Sequence, residues 1–155
     1  MVNFENISVI DNHTIATPAQ RITAGVIDLL VYAVIALVLG VVFGLFSLSG
    51  VGEIIALSYL FFRDSLKGLG YQSVGKKIVG LKVLHKEETP VSYLDGIKRN
   101  FVFLPNLLGL WIAYTVGGIT LLLILIELYQ LYTSDNNQRL GDRFANTMVV
   151  QQHGK

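Results

Sequence analysis

From Ile22 to Gly52 the chain carries one formal charge, Asp28. The run around it, "RITAGVIDLLVYAVIALVLGVVFGLF" at residues 21–46, is otherwise apolar after its opening arginine. A helix of this length extends about 38 Å, enough to cross the ~30 Å hydrocarbon layer of a bilayer with some tilt. A carboxylate inside such a span must pair, stay protonated, or cost several kcal/mol. The rest of the composition agrees with a membrane chain. Hydrophobic residues make up 52% and charged residues 15% of the 155 positions, against about 25% charged in an ordinary soluble domain.

The segment before Arg21 contains acids but no basic residue, so it lacks the charged start of a signal peptide, and the first span is expected to be retained. The "NIS" and "NHT" sequons carry little weight, since such matches are common by chance. "SLSGVG" reads as a turn, and "EIIALSYLFF" with its flanks as a second span at about 51–66. The two spans form a helical hairpin. Residues 63–99 then hold eight Lys or Arg residues, which assigns the loop at 67–96 to the cytoplasmic side. Within it "KIVGLKVL" alternates like a strand, "HKEETP" reads as a turn, and "SYLD" has the spacing of a helix N-cap box beginning at Ser92. The apolar stretch 101–132 is too long for one span and short for two. Breaks at Pro105 and "YTVGG" suggest a second hairpin at about 97–114 and 119–133, and Arg139, Arg143 and Lys155 draw the tail to the cytoplasm. One long helix, with three spans and an external tail, is the alternative. The fold expected is an all-α integral membrane helical bundle, with about four transmembrane helices in two hairpins and a small cytoplasmic β-containing loop element. Residues 1–16 and 151–155 are cytoplasmic tails.

Arg21 and Asp28 share a helix face about 10 Å apart along the axis, too far for a direct bond. Each needs a partner elsewhere. Asp28 either pairs with a basic residue from the polar segments, exchanges protons or cations, or lies between protomers. Glu127, in "LLLILIELYQLY", is a second embedded acid near the inner end of its helix. "GYQSVGKK" at 70–77 approaches the phosphate-loop pattern, but Lys77 replaces the hydroxyl that would hold Mg²⁺. Nucleotide binding is rejected, and Lys76 and Lys77 are read as contacts to anionic lipid headgroups. Gly40 and Gly44 have small-xxx-small spacing, suited to internal helix packing or to a dimer. His13, His85 and His153 are scattered and cysteine is absent, so no metal site, cofactor or disulfide is expected, and no catalytic triad is present. The net charge of +1 offers no field for nucleic acid. "TMVV" at 147–150 either pairs with "GLKV" at 80–83 in a small sheet or belongs to an unstructured basic anchor.

Arg21 and Asp28 in "RITAGVID", with Asp142 in "QRLGDRFANTMVV", resemble the Arg-Asp-Asp, or RDD, family of membrane proteins. "QSVGKKIVGLKV" followed by "VSYLDGIKRN" matches that family's middle loop in order and spacing. The likeness runs from about Thr17 to Val150. It implies a multi-pass protein of the bacterial inner membrane, in a family some of whose members are proposed to exchange Na⁺ or another monovalent cation for H⁺. Two functions follow as expectations. In one, Asp28, with Arg21 and Glu127, forms an ion or proton site in a small transporter that must oligomerise to enclose a route. In the other, the protein is a non-catalytic scaffold or accessory subunit to a membrane-protein partner. Arg21, Asp28 and Asp142 then act as a structural clamp, with Arg21 and Asp142 close enough to pair.

Overall fold

The computed structural model describes residues 13–85, 91–108 and 113–152. The first helix, α1 (Pro18–Gly44), starts where Thr17 and Gln20 cap each other reciprocally and Pro18 fills a position that needs no amide hydrogen. Only Arg21, Ala24 and Asp28 along it are buried. Large apolar side chains such as Leu30, Leu37 and Val41 are exposed instead. This inverts the amphipathic pattern of a soluble helix, with charge inside and hydrocarbon outside. Among the described residues, α1 is the one helix long and apolar enough to cross a membrane, and Gly117–Thr133 is a shorter apolar stretch.

After a turn at Leu45–Leu48, α2 (Ser49–Phe62) runs back along α1. The two approach closely at Gly52, where an added Cβ would stand 2.9 Å from the Leu39 carbonyl oxygen. Gly40 and Gly44, the pair with packing-motif spacing, have nothing within 4 Å of their Cβ positions. The close contact uses a glycine on the opposite helix. α2 ends earlier than the expected 66, because Arg63–Ser65 tightens into a 3₁₀ turn with all three side chains buried.

The strand expected across "KIVGLKVL" is split. Ser73 caps the short helix α3 (Val74–Val79), whose amide at Lys76 donates to the Ser73 hydroxyl. Gly80, at φ 72°, ends it in the left-handed region that favours glycine. β1 (Leu81–His85) follows and pairs antiparallel with β2 (Thr147–Gln151), with Val83 opposite Val149. The Ala16 amide donates to the Val149 carbonyl, so the lead-in to α1 lies on the same sheet. Leu81, Val83, Val149, Ala16, Ala24 and Val91 form a small core beneath the start of α1. The "TMVV" pairing with "GLKV" is therefore present. Most of the "HKEETP" turn lies outside the described residues.

Ser92 and Asp95 form the anticipated capping box and open α4 (Tyr93–Arg99). The expected continuous span at 97–114 is not found. α4 stops at Asn100, and a 3₁₀ turn at Phe101–Phe103 leads to the short α5 (Leu104–Leu108). Asn100 causes the break. Its amide group donates to the Gly96 and Phe61 carbonyls, and its carbonyl accepts from Arg63, anchoring the chain across α2 instead of extending the helix. The second apolar helix, α6 (Ala113–Thr133), runs through "YTVGG" without interruption. α7 (Leu140–Phe144) then leads into β2. The described chain is thus mostly helical, with a two-stranded sheet.

Candidate functional site

Nine buried or nearly buried charged side chains from α1, α2's end, α3, α4, α6 and α7's start meet beside the sheet. Asp142, fully buried, is the hub. The Arg21 guanidinium pairs with it, and Arg99 Nη2 and Arg139 Nη2 stand 3.0 and 3.6 Å from its Oδ1. The Arg139 backbone amide also donates to it at 3.1 Å, in the first turn of α7, where a negative charge suits the helix end. Arg21 donates further to the Asn137 carbonyl, while the Asn137 side chain donates to the Ala16 carbonyl at 3.2 Å. Arg21 and Asp142 thus tie the start of α1 to the segment that leads into β2.

Arg99 links this hub to a second one. Its Nε lies 3.3 Å from Asp64, its Nη1 donates to the Thr147 hydroxyl at 2.9 Å, and it is fully buried. Asp64 also takes Lys76 Nζ at 2.5 Å. Lys76 is therefore corrected as a headgroup contact: the bend of α3 against α1 turns its ammonium inward onto Asp64. Lys77, the next residue, is exposed.

Asp28 is 1% exposed. It accepts from the Gly75 amide at 2.8 Å and the Tyr59 hydroxyl at 3.4 Å, with Arg63 Nη1 at 3.6 Å. Gly75 is needed there, since a Cβ would fall 2.0 Å from the Ala24 carbonyl oxygen. Glu127 accepts from the Gly141 amide at 3.1 Å and faces Arg139 Nη1 at 3.3 Å. Arg21 pairs directly with Asp142, while Asp28 pairs not with Arg21 but with Arg63, the chain neighbour of Asp64. Asp64, Arg63 and Arg99 enter the sequence reading only as charges of the polar stretch 63–99 and Arg139 only as a tail charge, yet all four are buried or nearly buried members of the site. Their signals were an Arg-Asp pair closing an apolar helix, an arginine just before an apolar run, and an arginine three residues before Asp142.

Charge neighbours dominate the behaviour of the acids. Burial pushes the Asp142 carboxyl up, but Arg21, Arg99 and Arg139 together pull it well below the usual carboxylate range. Asp64 behaves alike, held low by Lys76 and Arg99 against its burial. Burial lowers the Lys76 ammonium to about 8, with Asp64 opposing the shift. The signs give a pH profile. Carboxyls depressed in the folded state stabilise it above the unfolded value of ~4, and that contribution is lost as pH falls below it. Lys76 acts oppositely: between about 8 and ~10.4 the unfolded chain holds a proton the folded chain has released, so rising pH favours folding through this group. The melting temperature in detergent is expected to drop below about pH 4. The wild type is expected to gain relative to Lys76→Met between about pH 8 and pH 10. A wild-type melting temperature unchanged from neutral pH to about pH 2 would contradict the first arm, and a constant gap between the two proteins the second.

A cavity of about 240 Å³ adjoins the network, between α1 and α6. Among the described residues no three His, Asp or Glu side chains are grouped to hold a metal ion; the acids are interleaved with cations. No curated protein and no solved structure matches the chain. The RDD family model matches residues 15–146, which spans α1 through α7 and every member of the charge network. This chain belongs to the RDD family, a family of membrane proteins.

Proposed function

We propose that the protein is a multi-pass component of the bacterial cytoplasmic membrane in which the Arg-Asp-Asp set is a structural clamp, serving a non-catalytic scaffold or accessory role. The observation that carries this reading is the charge balance of the buried network. Five cations (Arg21, Arg63, Lys76, Arg99, Arg139) face four acids (Asp28, Asp64, Glu127, Asp142), and each acid has at least one cationic partner. A site for Na⁺ needs oxygen ligands free of competing positive charge, and here a guanidinium or ammonium already occupies that role at every carboxylate. Buried pairs of this kind are poor sources of net stability but hold geometry, because separating one partner leaves an uncompensated charge.

The sheet supports the topology. β1, β2 and the lead-in at Ile15–Ala16 are hydrogen-bonded together, so all three belong on one side of the membrane. The number of crossings is then even both before β1 and between β1 and β2. That favours four crossings, or two with a re-entrant turn near α5, over three with an external tail. The basic loop supports placing that side in the cytoplasm. A second copy or another membrane protein is the partner this reading requires, seated on the exposed apolar faces within the bilayer.

The second reading, Na⁺ or H⁺ exchange through Asp28, has one observation in its favour: Asp28 borders the cavity. Proteoliposomes separate the two. The wild type is expected to move no Na⁺ under a pH gradient. Asp28→Asn, which strips Arg63 of its counter-charge but keeps the hydrogen-bond acceptor for Gly75, is expected to lose about 2–3 kcal/mol of stability. Exchange by the wild type that vanishes in a fully stable Asp28→Asn would overturn the clamp and establish the ion site.

A further inference from the structure

The cavity between α1 and α6 has two unlike halves. Ile22, Val26 and Leu29 on α1 and Ile124, Leu128 and Leu131 on α6 make apolar walls. These positions repeat at three- and four-residue intervals, so each set is one face of its helix. The two faces stand across the cavity instead of interlocking. At its charged end lie Arg21, Arg63, Lys76 and Arg139, with Asp28 and Glu127 between them. The lining thus has four cations against two acids, and the whole network five against four. Arg63 is 4% exposed, yet its Nε finds no hydrogen-bond acceptor among the described residues and its Nη1 has only Asp28 at 3.6 Å, beyond hydrogen-bond length; Arg139 Nε also finds none. Buried guanidinium donors without acceptors are costly and select a ligand with oxyanion character. Val26 and Leu29 are exposed on the outer face, so the apolar half opens sideways toward acyl chains.

We propose that this cavity binds an anionic lipid, with its phosphate oxygens on Arg63 and Arg139 and one acyl chain lying between α1 and α6. A cationic ligand is disfavoured by the excess of positive charge. A zwitterionic lipid offers the same phosphate but brings a choline ammonium into a lining that already holds four cations against two acids. A free oxyanion would leave the six apolar walls without an occupant. The assignment stands whether the network is a clamp or an exchange site, since it rests on the excess charge and the two-part lining.

Gly25 supplies the test. It lines the cavity, and an added Cβ there meets nothing within 4 Å, so Gly25→Leu starts a side chain in open space beside the cavity and removes a weak helix former. The full-length protein in neutral detergent is titrated with phosphatidylglycerol, phosphatidylcholine or inorganic phosphate, and its melting temperature is followed. Phosphatidylglycerol is expected to raise it saturably by on the order of 5 °C, with little response to the other two. Gly25→Leu is expected to melt at or above the lipid-free wild type and to lose the phosphatidylglycerol increment. Arg139→Gln is expected to need about tenfold more lipid for the same shift, the loss of roughly one charged hydrogen bond. If Arg139→Gln does not fold, Gly25→Leu alone decides. Equal shifts with phosphatidylcholine would overturn the assignment to an anionic lipid, since the phosphate alone would then suffice, and a full shift with inorganic phosphate would remove the chain. An increment retained in Gly25→Leu would show that the lipid binds elsewhere.

Discussion

Asp142→Asn is expected to destabilise the detergent-solubilised protein by about 3–5 kcal/mol, the range for breaking a buried charge network by removing one partner. An exposed salt bridge would cost at most about 1 kcal/mol. The difference arises because Asp142 is fully buried and balances three guanidiniums at once. Asparagine keeps the acceptor for the Arg139 amide but leaves Arg21, Arg99 and Arg139 repelling one another out of water. A fall in melting temperature of more than about 6 °C is the expected readout. The same geometry predicts that exchanging the charges of Arg21 and Asp142 does not restore stability, because a guanidinium placed at position 142 would face Arg99 and Arg139. Full rescue by that double exchange would mean that Arg21 and Asp142 act as an isolated pair, and a loss below about 1 kcal/mol in Asp142→Asn would mean that the hub is solvated.

The chain announces part of this arrangement and conceals the rest, for reasons that can be read residue by residue. The seven-residue separation of Arg21 and Asp28 is a local property, and it correctly requires each to find its partner elsewhere. Which partner it finds depends on the third dimension. Asp28 reaches Arg63 because α2 folds back along α1, and Arg21 reaches Asp142 across more than a hundred residues because β2 brings the tail to the start of α1. The strand pairing was legible in alternating β-branched residues and the α4 cap in its Ser-x-x-Asp spacing. Lys76 was misread because periodicity does not reveal that Gly75 lets α3 lie against Ala24, which turns the lysine inward. The break at Asn100 was missed for a similar reason: its hydrogen bonds reach back to Phe61 and Arg63, on a helix far away in sequence. Proline and glycine at 105 and 114–118 offer a local signal for a break, yet α6 runs through 114–118 and the helix that precedes them ends earlier, at Asn100.

The network also depends on a position that carries no charge. Gly141→Ala is expected to cost on the order of 3 kcal/mol, at the upper end of what overpacking usually costs. A Cβ at Gly141 would fall 2.0 Å from the carbonyl oxygen of Arg99 and 2.7 Å from its carbon. Both are backbone atoms of α4, so no side chain can swing aside to make room. α7 must move away, and the move separates Glu127 from the Gly141 amide and Asp142 from Arg99 together. Gly40→Ala provides the comparison, since its Cβ meets nothing within 4 Å inside α1, one turn before its end, and the change should be neutral or stabilising by up to about 1 kcal/mol. Matched melting curves of the two variants test the point. Equal stability would mean that α7 does not seat on the end of α4, and that the contact between Asp142 and Arg99 is looser than 3.0 Å implies. A large loss confined to Gly141→Ala would establish that charge pairing here depends on two backbones being allowed to touch.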